Sequence, residues 1–208
     1  TAAFLCATSL GEDTGGSIRH PAHCCGLVGI RPTWGLVSRY GMMGASWSMD
    51  IAGPITRTVE DCALTLRAIA GYDSRDRHTS QAVVPNYLAE LKGDIKGLRI
   101  GIVKEAMDSA YLEPEVKLVV EKAIAHLETL GVKMEEVSLP LFDASAVVTR
   151  VILAVEAAAI HAKWLRHNLD EYGHNVKIDM LVGALMPAHF YYKAQRIREV
   201  VRRQILDV

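Results

Sequence analysis

Gly11-Glu12-Asp13-Thr14-Gly15-Gly16-Ser17-Ile18-Arg19 is the most informative stretch of this 208-residue chain. It places the hydroxyl of Ser17 directly behind a glycine turn and ahead of a short helix predicted over 17–25. Because glycine has no Cβ, the pair Gly15-Gly16 lets the backbone adopt positive φ and come close to a bound carbonyl group. If Ser17 opens a helix, the unpaired N–H groups of the first turn also attract negative charge. The predicted oxyanion hole consists of the backbone N–H groups of Thr14, Gly15, Gly16 and Ser17.

Other motifs with similar glycine spacing do not match these letters. A phosphate-binding loop needs a lysine after the second glycine, but Ser17 follows Gly16 directly. A nucleophile elbow needs Gly-x-Ser-x-Gly, and Arg19 occupies the position of the last glycine. A purely structural glycine turn capped by a serine remains the plain alternative.

A local base for Ser17 would have to be His20 or His23, three and six residues further along. Both would project from the same short helix as the serine, a geometry that seldom brings a ring into attacking distance of the first helical residue. We therefore expect both histidines to have packing or supporting roles.

Six further short sequence motifs follow the turn along the chain. They are PA at 21–22, CGLVGIRPT at 25–33, GLVSRYG at 35–41, SWSMD at 46–50, GPITRTVED at 53–61 and AGYD at 70–73. Together with the turn, this succession resembles the amidase signature family, whose hallmark ends in Asp-Thr-Gly-Gly-Ser-Ile-Arg. The diagnostic blocks cover roughly the first third of the chain.

The resemblance implies hydrolysis of a carbon–nitrogen amide bond through a seryl acyl-enzyme at Ser17. In the family a lysine acts through a bridging serine on a cis peptide bond, and both residues precede the glycine turn. The first lysine here is Lys92, and Ser9 lacks the expected glycine and serine neighbours. We therefore expect a fragment that is nearly inactive by itself. Asp13 and Arg19 are expected to pair and lock the turn, and Asp50 to line or support the site.

The resemblance also implies an α/β fold in which helices cover both faces of a mixed central sheet, only part of which belongs to residues 1–208. We expect a single fragment, with the signature core at 1–73 and peripheral helices and strands at 74–208. Two other functions stay open. One is the glutaminase A subunit of a tRNA-dependent amidotransferase, and the other is a non-catalytic relic that keeps the turn without the base.

Composition favours a soluble cytoplasmic protein. The resemblance implies a small-molecule amide as the substrate, and a homodimer stays open. The formal net charge of -1 gives no electrostatic reason to bind nucleic acid directly or an anionic membrane, and no apolar run is long enough to span one. The cluster of His20, His23, Cys24 and Cys25 lacks metal-ligand spacing, so no metal is expected, and no cofactor is implied. The four cysteines are expected to be reduced thiols.

Hydrophobic periodicity predicts the remaining elements. Residues 1–6 look like a helix end, and strands are expected over 7–12, 27–30, 98–103 and 132–139. Helices are expected over 59–70, 114–130, 143–168 and 188–206, with a polar loop after residue 168. The helix that begins at Pro114 lies between two predicted strands, which indicates a parallel βαβ unit.

Overall fold

A computed structural model describes all residues from 1 to 208. The chain divides into two compact units. The first unit consists of Thr1–Gly93 and Leu153–Leu185, and the second of Asp94–Ile152 and Met186–Val208. The predicted glycine turn lies in the first unit.

A three-stranded antiparallel sheet forms the centre of the first unit. Its strands are β1 (Thr8–Asp13), β2 (Val28–Gly29) and β3 (Ile51–Thr56), in the spatial order β1-β3-β2. The register pairs Thr8 with Thr56 and Asp13 with Ile51. The strand predicted over 7–12 is therefore confirmed, and it delivers the chain directly to the turn.

The turn leads into helix α1 (Arg19–Cys24), which begins two residues later than predicted. Ile18, just before it, is completely buried. Gly11 of β1 leaves room for this side chain, because a Cβ added there would lie 2.9 Å from Ile18 Cγ1. A Cβ on Gly53 of β3 would likewise overlap the Ile30 carbonyl oxygen. These glycines let the sheet and the segment after the turn pack closely.

Helix α2 (Val59–Ile69) lies where a helix was expected over 59–70, and Thr58 is its N-cap residue. The Thr58 hydroxyl accepts a hydrogen bond from the Asp61 backbone N–H at 3.0 Å. This satisfies one of the unpaired donors of the first turn. The short helix α3 (Tyr87–Glu90) comes next along the chain.

Three predictions of secondary structure were wrong. Residues 1–6 form turns and bends instead of a helix end. The long helix predicted over 143–168 is interrupted at His161, giving α6 (Ala144–Ile160) and α7 (Ala162–His167). The region after residue 168 contains a 3₁₀ turn at Leu169–Glu171 and then α8 (His174–Leu185) where a polar loop was expected.

Side-chain contacts explain the interruption at His161. Its ring is hydrogen-bonded to the Gly44 carbonyl oxygen and to the Tyr172 hydroxyl. Gly183 of α8 packs directly on Ala154, since a Cβ at Gly183 would overlap the Ala154 carbonyl oxygen. Both features depend on residues distant in sequence, which helical periodicity does not report.

The second unit contains the predicted parallel pair. Strand β4 (Arg99–Val103) pairs with β5 (Lys133–Val137), and α5 (Pro114–Thr129) connects them after the short helix α4 (Lys104–Met107). Gly131 has φ +83°, a left-handed conformation that ends α5. The last helix, α9 (Ala188–Asp207), follows Pro187 as predicted.

None of the helices combines the length and the apolar character needed to cross a membrane.

Candidate active site

The Asp13 carboxylate organises the glycine turn. Its side chain is completely buried. It accepts hydrogen bonds from the backbone N–H groups of Gly16, Ile18 and Arg19 at 2.8, 3.2 and 3.4 Å. The turn is therefore wrapped around one carboxylate, which fixes its shape.

Two arginines neutralise this buried charge. Arg19 donates from Nε to Oδ2 and from Nη2 to Oδ1 of Asp13, both at 3.0 Å, and Arg31 Nε lies 3.4 Å from Oδ1. Burial alone would raise the pKa of Asp13, but the hydrogen bonds from Arg19 and the backbone N–H groups outweigh it. The pKa of Asp13 lies below its usual range, so the carboxylate is ionised at neutral pH. The structure thus brings together Asp13 and Arg19, the pair expected across the turn.

Ser17 lies exposed at the outer end of the turn, directly after Gly16 with its φ of +139°. Of the four predicted oxyanion donors, Gly16 is already engaged, because its N–H points at Asp13. The N–H groups of Thr14, Gly15 and Ser17 donate to no acceptor within the protein. Three of the four donors are therefore available to a ligand in this conformation.

Asp50 connects the turn to the loop before β3. Its Oδ1 accepts the Thr14 hydroxyl at 2.7 Å, and its Oδ2 accepts the N–H groups of Ala45 and Ser46 at 2.8 and 2.7 Å. The side chain is buried. The sequence predicted that Asp50 lines or supports the site, and the structure places it in direct contact with the turn.

Sequence reasoning missed Glu156, which supports this loop from α6. The residue is completely buried, and its carboxylate accepts the hydroxyls of Ser46 and Ser48 together with the Ser48 N–H at 3.1 Å. A continuous set of hydrogen bonds therefore runs from Glu156 through the loop and Asp50 to Thr14. The only sequence signal was an acidic residue inside the apolar run of α6.

His161 holds the same loop at its other end. Its Nε2 lies 3.0 Å from the Gly44 carbonyl oxygen, and its Nδ1 lies 2.8 Å from the Tyr172 hydroxyl. Because a carbonyl oxygen can only accept, Nε2 carries a proton. Two buried residues that follow β3 by roughly a hundred positions, Glu156 and His161, therefore fix the segment that contacts the turn.

A cavity of about 490 Å³ opens next to Asp50. Arg39 and Trp47 form part of its lining, and Arg39 donates to the Trp47 carbonyl oxygen at 2.8 Å. Arg39 also stacks on Trp34, with 4.8 Å between its Cζ and the ring centre. Ser17 does not line this cavity, although Asp50 joins the cavity to Thr14 of the turn.

The structure does not bring a base to Ser17 from within residues 1–208. His20 and His23 are exposed on α1, and His20 Nε2 lies 3.8 Å from Cys24 Sγ. Ser9 bonds to the Thr1 hydroxyl at 2.9 Å. All four cysteines are free thiols.

Comparison with known proteins adds independent information. The amidase family profile matches residues 1–208. The A subunit of the glutamyl-tRNA(Gln) amidotransferase of Chromohalobacter salexigens is 39% identical in an alignment 230 residues long, which covers 99% of this chain and 47% of that protein. The corresponding A subunit of Bdellovibrio bacteriovorus is 40% identical over 207 residues, covering 99% and 41%. The chain thus spans less than half the length of these relatives.

Solved structures with a similar fold belong to proteins of the same kind. A structure described as a vestigial protein complex that reveals the evolutionary origins of an s-triazine catabolic enzyme superposes with a TM-score of 0.90 at 33% identity, covering 99% of this chain and 44% of that one. The A subunit of the Thermotoga maritima glutamyl-tRNA(Gln) amidotransferase superposes with a TM-score of 0.80 at 34% identity, with the same coverage. Because the family profile matches residues 1–208 and the signature turn is folded around Asp13, the chain belongs to the amidase signature family.

Proposed function

We propose that this chain carries the nucleophile and the oxyanion-binding turn of an amide hydrolase, with Ser17 as the nucleophile. One observation carries the proposal. The turn built on buried Asp13 leaves the Ser17 side chain exposed and three neighbouring backbone N–H groups without an acceptor. Such preorganised donors stabilise the negative charge that develops when a hydroxyl adds to a carbonyl carbon.

The proposed reaction has two stages. Ser17 Oγ loses its proton to a base and bonds to the amide carbon, and the oxygen of that carbonyl becomes an anion held by the Thr14, Gly15 and Ser17 N–H groups. The C–N bond then breaks, and the proton passes to the departing ammonia or amine. Water next attacks the seryl ester, releasing the carboxylic acid and restoring the hydroxyl.

The base is proposed to lie outside these residues. By the family resemblance it is a lysine acting through a bridging serine, both ahead of Thr1. A positioned base contributes roughly a hundredfold to ten-thousandfold in rate. Residues 1–208 alone are therefore proposed to be nearly inactive, and the full-length protein active.

The substrate is proposed to be a small-molecule amide, as the family resemblance implies. A glutaminase component of a tRNA-dependent amidotransferase is the second candidate. It is favoured by relatives of that name at 37–40% identity. An ammonia-release screen of the full-length protein over small amides, ureides and glutamine separates the two. Release from glutamine alone, dependent on a partner protein, would favour the amidotransferase.

A fluorophosphonate probe tests the nucleophile directly. We expect the full-length protein to be labelled at one serine, and the Ser17→Ala variant to remain unlabelled. Ser9→Ala, in the strand that precedes the turn, is the matched control and should label like the parent. Labelling that persists in Ser17→Ala would reject Ser17 as the nucleophile.

A further inference from the structure

Glu12 is an acidic residue beside the turn that the proposed reaction does not use. It precedes Asp13 in β1, and since successive side chains of a strand point to opposite faces, it lies on the other face of the sheet. There it lines a cavity of about 410 Å³. Most of the other lining side chains are aliphatic, namely Leu10, Val37, Met42, Ala52 and Ile69.

One oxygen of this carboxyl group is left without a partner. Glu12 Oε1 is buried and forms no hydrogen bond. Buried polar atoms in folded proteins nearly always have a partner, so an orphaned carboxyl oxygen in a residue that lines a cavity needs an explanation. Burial, with the nearby Asp50 charge, raises the pKa of Glu12 to about 7, against an opposing effect of Arg39.

The charges around Glu12 indicate whether the missing partner is positively or negatively charged. Asp50 and Arg39 are the charged groups that act on it. Arg39 is already committed elsewhere, because its guanidinium lies 3.7 Å from Asp76, 3.1 Å from His78 Nδ1 and 2.8 Å from the Trp47 carbonyl oxygen. The cavity beside Glu12 therefore has an excess of negative charge when the carboxyl is ionised.

We propose that the Glu12 carboxylate binds a primary ammonium group that enters this cavity, while the aliphatic walls hold the carbon chain that bears it. An ammonium group is a compact charge with three N–H donors, so it can donate to the Glu12 carboxylate and balance its negative charge. A carbonyl oxygen can only accept, so it would bind the neutral acid and could not stabilise the ionised carboxylate. Two sources supply this chemistry: an amine ligand, or a lysine of the full-length polypeptide. The proposal does not depend on Ser17 being a nucleophile.

The test is a carboxyl-carbon NMR titration of Glu12 in the full-length Ser17→Ala variant, which cannot form the proposed acyl-enzyme. The probes are n-butylammonium and, as a neutral match, n-butanol. If the ammonium is a ligand, we expect n-butylammonium to lower the pKa of Glu12 by roughly 1 to 3 pH units, and n-butanol to leave it unchanged. If a lysine of the polypeptide supplies it, the pKa will lie below its usual range before any addition.

Glu60, exposed on α2, is the control carboxyl and should respond to neither probe. The Glu12 resonance is assigned by its loss in Glu12→Gln, or in Glu12→Asp should that variant fail to fold. A pKa that stays near 7 throughout would overturn the proposal, as would an equal response to both probes. The labelling of Ser17 is measured separately, so the two proposals fail independently.

Discussion

Asp13 shows how one side chain can determine the shape of a reactive turn. Its carboxylate accepts from three backbone N–H groups and from Nε and Nη2 of Arg19. An amide in its place cannot accept on both sides and carries no charge. We expect Asp13→Asn to lower the free energy of unfolding by about 1.5–3 kcal/mol and to slow fluorophosphonate labelling of Ser17 in the full-length protein. Urea unfolding and labelling rates measure these two effects.

Arg31→Gln provides the matched control for that variant. Arg31 also approaches Asp13, at 3.4 Å, but its hydrogen bond to the Met49 carbonyl oxygen lies away from the turn. Arg31→Gln should lower the free energy of unfolding but have little effect on the rate at which Ser17 is labelled. If Asp13→Asn labels as fast as the parent, the carboxylate does not hold the turn in its reactive shape.

At the scale of elements, Glu156 links helix α6 to the turn although 139 positions separate it from Ser17. The Glu156→Gln variant keeps the size of the side chain but weakens its bonds to Ser46 and Ser48. Displacement of a reactive group by about 1 Å costs up to roughly a hundredfold in rate. We therefore expect kcat for amide hydrolysis to fall by about tenfold to a hundredfold, with little change in KM.

Leu66→Ala on α2 separates positioning from general loss of stability. Leu66 is buried, so its truncation should lower the free energy of unfolding by about 2–5 kcal/mol. It has no place in the hydrogen bonds that lead to Thr14. Equal losses of kcat in Glu156→Gln and Leu66→Ala, at a temperature where both are folded, would contradict a positioning role for Glu156.

The N-terminus of α2 permits a simpler measurement. Thr58→Ala removes the oxygen that accepts the Asp61 N–H and should cost about 1 kcal/mol of stability. Thr58→Ser keeps the oxygen and should remain close to the parent in thermal unfolding. Equal stability of the two variants would show that the cap contributes nothing measurable.

The elements also show which features a sequence can predict. The helix from Pro114 and the cap at Thr58 were predictable because each is encoded by neighbouring residues. The Asp13 and Arg19 pair was accessible for the same reason. Glu156 was not, since its partners lie more than a hundred residues away. Helix α8 was missed because apolar residues such as Val176 and Leu185 are exposed on it, so it has no single apolar face.

Over the whole molecule, carboxylates in both units are held in their charged form. The pKa of Asp13 is lowered in the first unit. In the second unit the pKa of Glu105 is lowered by the Ser138 hydroxyl and the Leu139 N–H. A group whose folded-state pKa is depressed stabilises the fold above its unfolded pKa and loses that contribution as the pH falls through the folded value. Acid should therefore weaken both units.

We expect the urea midpoint of the chain to rise from pH 7 to about pH 5, because the pKa of Glu12 is raised to about 7 and the folded state therefore binds that proton more tightly than the unfolded state does. The midpoint should fall progressively below about pH 4, where unfolded carboxylates begin to bind protons. The double variant Asp13→Asn, Glu105→Gln should start from a lower midpoint but decline less steeply, because two of the groups that take up protons on unfolding are gone. The double variant Glu60→Gln, Glu121→Gln, which changes two exposed carboxylates, is the control. Its urea midpoint should depend on pH in the same way as that of the parent. Should the double variant decline as steeply as the parent, the acid sensitivity must come from other carboxylates.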